Sequence, residues 1–111
     1  MHPWLASLRH DLVKRALWPA RDLRDSGSRD VAALRRGLLE LTDARGATIP
    51  AVQLWQRRRA GSPCSPAACD AFEGALVRAL QALELPWPEP LEAVLALESA
   101  FEALARSMEG R

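Results

Sequence analysis

Apolar residues recur every three or four positions along most of this chain, which is the spacing of one face of an α-helix. Four stripes are clear: Leu5, Leu8, Leu12 and Ala16; Val31, Leu34, Leu38 and Leu41; Cys69, Phe72, Leu76, Leu80 and Leu83; and Leu91, Val94, Leu97, Phe101, Leu104 and Met108. Each stripe predicts a helix that buries one side. The pattern therefore predicts an all-α fold, a compact bundle of four main helices plus one short helix.

Start and stop signals place the ends of the first two helices. Pro3 suits an early helical position, and the first helix is expected to run to Trp18. Pro19 lacks an N–H and clashes with the preceding turn, so it should kink or break this helix, and residues 20–24 are a candidate for one further turn. Ser28 follows a Gly-containing loop and is the expected N-cap of the second helix.

The short helix is expected between residues 48 and 60, with Thr48 as its N-cap and Trp55 among its apolar residues. Before it, residues 42–49 contain a turn signature ending at Gly46. We expect a loop there, with a short hairpin as the second reading. Three arginines close the helix, and cations in a last turn complement the helix dipole.

The last two helices are separated by a proline-rich connection. Ser65 and Pro66 form an N-cap and first position for a helix that should reach about Leu85. Residues 86–90 hold three prolines, which should exclude helix and stiffen the link. The final helix should begin near Leu91 and pair with its predecessor as an antiparallel hairpin, with Gly110 as its C-terminal cap.

Composition supports this reading. The chain is rich in Leu and Ala and poor in β-branched residues, and this balance favours helix over strand. A length of 111 residues fits a single domain. The predicted core is Leu5, Leu8, Leu12, Val31, Leu34, Leu38, Leu41, Trp55, Phe72, Leu76, Leu80, Val94, Leu97, Phe101 and Leu104.

Charge divides the domain into two halves of opposite sign. Residues 1–60 hold 12 Arg and Lys against 6 Asp and Glu, whereas residues 61–111 hold 3 Arg against 8 acids. Such a split indicates either complementary packing, within the chain or between copies, or binding of a polyanion. We favour packing, because solvated charge usually has no ligand.

The basic half contains one local motif. Residues 51–59 resemble the recognition helix of homeodomains, which has a similar Val-x-x-Trp run followed by arginines. The similarity covers nine residues, no Asn precedes the arginines to read adenine, and no Phe follows Trp55. It therefore implies no homeodomain fold. Nucleic-acid binding stays an alternative function, because a phosphate-binding face could be formed by Arg9, Arg15, Arg35, Arg36, Arg57, Arg58 and Arg59.

Metal and catalytic chemistry are not expected. The candidate metal ligands are His2, His10, Cys64 and Cys69. Their spacing does not match a zinc motif, and Cys69 falls on an apolar stripe as a small core residue. No His follows His10 to complete a di-iron Glu-x-x-His motif, and there is no phosphate loop or activated nucleophile. We expect no cofactor, no metal and no enzyme activity.

Four tryptophans exceed what a small helical core needs, and Trp is favoured at protein interfaces. Trp87 stands between two prolines, so it either anchors a partner or caps the last two helices. The function expected is that of a small cytoplasmic accessory or adaptor protein without a membrane span, which binds another protein or a second copy of itself as a homodimer. The residues expected to bind the partner are Trp55, Arg57, Arg58, Arg59 and Trp87.

Overall fold

The computed structural model describes residues 2–42 and 51–108, which are helical throughout except for turns and connections. The helices are α1 (Pro3–Leu12), a π-helical turn (Val13–Leu17), α2 (Trp18–Ser26), α3 (Val31–Thr42), α4 (Ala51–Arg59), α5 (Pro66–Ala82), α6 (Glu89–Leu95) and α7 (Leu97–Arg106). The described residues contain no strand, and the predicted all-α bundle is confirmed. The predicted features at residues 43–50 and at Gly110 lie outside the described residues.

The first helical stretch does not stop at Pro19, where a break or kink was expected. It continues through the π-helical turn into α2 and ends only at Gly27, whose φ of 72° is the left-handed conformation common after a helix. Pro19 cannot donate to the carbonyl of Arg15, four residues earlier. The π-helical turn is the local adjustment that lets the helix pass a residue lacking an N–H.

The second predicted helix begins later than expected. Its first residue is Val31, and the carboxylate of Asp30 accepts a hydrogen bond from the backbone N–H of Ala33 at 3.2 Å. Asp30, rather than Ser28, therefore satisfies a backbone donor of the first turn. A carboxylate at this end also complements the helix dipole.

The predicted start of α5 is confirmed. The Ser65 hydroxyl accepts from the N–H of Ala68 at 3.2 Å, with Pro66 at the first helical position. The helix ends at Ala82, before the expected Leu85, and α6 begins inside the proline-rich connection with Pro90 buried in its first turn. Proline is tolerated there because first-turn N–H groups have no intrahelical acceptor.

The core lies where α5 packs against α6 and α7 and where the first helical stretch crosses α3. Most of the predicted core is buried, while Val31 and Leu80 are only partly buried at its edge, and the Leu41 side chain is outside those described. Cys69 is buried as expected. Buried residues absent from the predicted core include Ala16, Leu17, Ala20, Cys64, Ala79, Ala82, Leu83 and Leu91.

Candidate functional site

Arg58, one of the arginines expected to bind a partner, faces the first helix. Its guanidinium donates to Asp11 Oδ2 at 2.8 Å and to the Ser7 hydroxyl at 3.1 Å. The indole N–H of Trp4 donates to the Arg58 carbonyl at 3.1 Å. These three hydrogen bonds connect α4 to α1.

Arg59 faces the other way, toward α5. Its guanidinium donates to Asp70 Oδ1 at 2.5 Å, to Glu73 Oε1 at 3.4 Å and to the carbonyl of Pro66 at 3.1 Å. The hydrogen bond that the Arg59 guanidinium donates to the Asp70 carboxylate raises the pKa of Arg59 above its ordinary value. Arg57 differs from both neighbours, because it is exposed and makes no ion pair with a described carboxylate.

The two tryptophans expected at the partner surface have different positions. Trp55 is 1% exposed, with its ring centroid 6.0 Å from that of Trp4 and 4.7 Å from that of Phe72. Among the described residues its indole N–H has no acceptor. Trp87 is half-buried on the connection between α5 and α6 and packs against the core. The structure thus brings Trp55, Arg58 and Arg59 into helix contacts and places Trp87 on a separate segment.

Several ion pairs connect the basic half of the chain to the acidic half. Arg59 makes one such connection, Arg21 binds Glu98 at 2.8 Å, and Arg35 binds Glu84 at 3.0 Å. Part of the charge split is therefore neutralised within the molecule.

A large exposed apolar side chain stands elsewhere, at Trp18, which is 58% exposed. It borders two adjoining hollows that share Arg9 and Val13, and we name this surface the Trp18 groove. The first hollow, of about 680 Å³, lies between the first helical stretch and α7 and includes Leu17 and Phe101 on its apolar side. The second, of about 480 Å³, lies along α1 and the π-helical turn and is lined by Ala6, Arg9, His10, Val13, Lys14 and Trp18.

Charge is uneven along the Trp18 groove. In the first hollow the Arg21–Glu98 pair spans from α2 to α7, and Glu102 and Arg106 add one charge of each sign. Within the described part of the chain, the second hollow is lined by no carboxylate. Its Arg9 and Lys14 are exposed and make no ion pair with a described carboxylate. The groove as a whole therefore carries excess positive charge.

The apolar stripe predicted for the first helix does not include Trp18, because that stripe is based on regular α-helical winding. In an α-helix, residues five apart point about 140° away from each other. The π-helical turn inserts an extra residue, so Val13 and Trp18 border the same groove. The available signal was Pro19 directly after Trp18, since a proline inside a continuous helix demands a local change of winding.

Comparison of the chain with protein-family models, with curated proteins and with solved structures finds no match. Within residues 2–42 and 51–108, no three His, Cys, Asp or Glu side chains group in a way that could hold a metal ion. None of the described helices combines the length and apolar character required to cross a bilayer.

Proposed function

We propose that this chain is a non-catalytic accessory protein that works by binding another protein or a second copy of itself, and that the Trp18 groove is its binding surface. The observation that carries the proposal is the exposure of Trp18 between two hollows whose linings combine apolar and charged side chains. An exposed indole surrounded by polar side chains is typical of an interface anchor, since Trp buries a large area at low entropic cost.

The alternative function is nucleic-acid binding or regulation through an arginine-rich face. Seven arginines suggested it, and four of them bind carboxylates of the same chain: Arg15, Arg35, Arg58 and Arg59. A phosphate would have to displace those partners, and only Arg57 of the triplet makes no such pair. These contacts therefore count against phosphate binding by this segment.

Two variants test the proposed surface. Trp18→Ala removes the exposed indole, and Leu85→Ala is the matched control, because Leu85 is 51% exposed but lies outside the Trp18 groove. Both should keep the wild-type melting temperature, since truncation of an exposed side chain changes stability little. We expect Trp18→Ala alone to lose the interaction.

The interaction is measured in two ways: self-association by sedimentation equilibrium, and binding to a partner recovered by affinity capture and then purified and recombined. Equal binding by both variants and by the wild type would contradict the proposed surface. Tight binding of single-stranded DNA that depends on Arg57 rather than on Trp18 would favour the alternative.

A further inference from the structure

We infer that the occupant of the Trp18 groove is an acidic amphipathic helix of a partner protein. This inference rests on the proposed function and adds the chemistry of the partner. It is carried by two independent properties of the groove, its elongated apolar border and its excess of positive charge.

The groove has the dimensions of a helix-binding site. Its lining follows the first helical stretch from Ala6 to Arg21, a length of about 20 Å at 1.5 Å per residue. Along that length the exposed Trp18 and the partly buried Val13 offer apolar contact, and Phe101 of α7 lies at the bottom of the first hollow with 6% of its surface exposed. A helix that places apolar residues at every third or fourth position along one side matches such a surface.

The positive charge of the groove indicates which charged residues the polar side of the partner helix should carry. Arg9 and Lys14 border the second hollow without an opposing carboxylate, and His10 lies beside them. In the first hollow, by contrast, Arg21 is already paired with Glu98. Rim charges contribute mainly to partner choice and association rate, so Glu and Asp at the edges of the bound helix complement Arg9 and Lys14.

The test uses three synthetic helical peptides of about 14 residues, enough to span the groove. The first carries a Leu and Phe face flanked by Glu. The second has the same apolar face with every Glu changed to Lys. The third keeps Glu but replaces the apolar face with Gln. Each is labelled at its N-terminus, and its binding to the full chain is followed by fluorescence anisotropy at about 150 mM salt.

We expect the acidic amphipathic peptide to bind about tenfold tighter than its Lys twin, the effect of two weak rim pairs. The Gln-faced peptide should bind more weakly still, because it cannot bury Trp18. Trp18→Ala should weaken the acidic peptide roughly thirtyfold, as for an interface anchor. Changing Arg9 and Lys14 together to Glu should reverse the preference between the Glu and Lys peptides.

The matched control changes Arg29 and Arg78 together to Glu. This alters net charge equally at two exposed positions outside the groove, so peptide preference should stay as in the wild type. Far-UV circular dichroism and melting temperature establish that each variant is folded.

Other results overturn the inference, and they separate it from the proposed function. Equal binding of the Glu and Lys peptides, lost in Trp18→Ala, would reject the acidic partner and keep the binding surface. Failure of all peptides, together with Trp18-dependent self-association, would make a second copy the occupant. Competition by single-stranded DNA with no effect of Trp18→Ala would reject both.

Discussion

Gly37 of α3 lies directly against the backbone carbonyl of Arg15 in the π-helical turn. A β-carbon built at Gly37 would overlap that oxygen, and the atoms in the way are backbone rather than the end of a flexible side chain. Pro19 cannot donate to the same carbonyl, and it lines a small surface hollow together with Gly37. The close approach of the two helices thus depends on a residue without a side chain.

We predict that Gly37→Ala destabilises the protein although alanine favours helix. The overlap forces α3 away from the first helical stretch, and overpacking of this kind costs about 1–3 kcal/mol of unfolding free energy. Gly74→Ala in α5 is the control, because a β-carbon there meets nothing within 4 Å. It should gain up to about 1 kcal/mol from helix propensity. Urea denaturation measures both, and changes of the same sign would contradict the close contact.

The Arg58–Asp11 pair should stabilise the fold more than the Arg35–Glu84 pair. Side-chain exposures are 21% and 24% in the first pair but 51% and 75% in the second, so water screens the second far more. Double-mutant cycles with alanine should give a coupling of about 0.5–1 kcal/mol for Arg58–Asp11 and close to zero for Arg35–Glu84. Equal couplings would show that burial does not set the strength of these pairs.

Trp55 and Trp87 should differ in their effect on stability. Trp55→Ala removes a fully buried ring that contacts two other aromatic rings, so it should cost about 3–5 kcal/mol. Trp87 is half-buried, so Trp87→Ala should lower the melting temperature by a smaller amount. If Trp87→Ala leaves the melting temperature unchanged and weakens association, Trp87 anchors a partner as the sequence suggested.

The contribution of the Ser65 N-cap to the stability of the protein should be measurable by a single substitution. Ser65→Ala removes the acceptor for the Ala68 N–H, and losing such a cap costs about 1 kcal/mol. Ser99→Ala is the control, since Ser99 is exposed inside α7. Thermal denaturation should show a loss for Ser65→Ala only. A similar loss at Ser99 would point to a general effect of serine rather than to the cap.

The fold class and most of the core could be predicted because period and capping act locally. Ser65 and Pro66 define the start of α5 through their own chemistry, and Phe72 and Leu76 follow at helical spacing. One further turn after Pro19 was a candidate, but the π-helical winding before it could not be predicted this way. That winding lies against α3, which approaches from elsewhere in the sequence.

The candidate site was harder to predict for a related reason. Arg58 and Arg59 were expected at a partner surface, but their carboxylate partners Asp11 and Asp70 are distant in sequence or on another helix. No local pattern shows which surface cations meet an acid after folding. The two arginines and Trp55 stay predicted partner-binding residues, now with known intramolecular contacts.

The outward direction of Trp18 depends on the winding of the residues that precede it rather than on its own chemistry. Five residues, Val13–Leu17, occupy the π-helical turn. If these residues took up regular α-helical winding at the same chain length, Trp18 would point about 140° away from Val13 and leave the surface that the two share. Removing Lys14 as well would make Trp18 the fourth residue after Val13, about 40° away, and return it to that surface. The turn therefore takes up one residue so that α2 keeps the rotational phase of a regular helix one residue shorter.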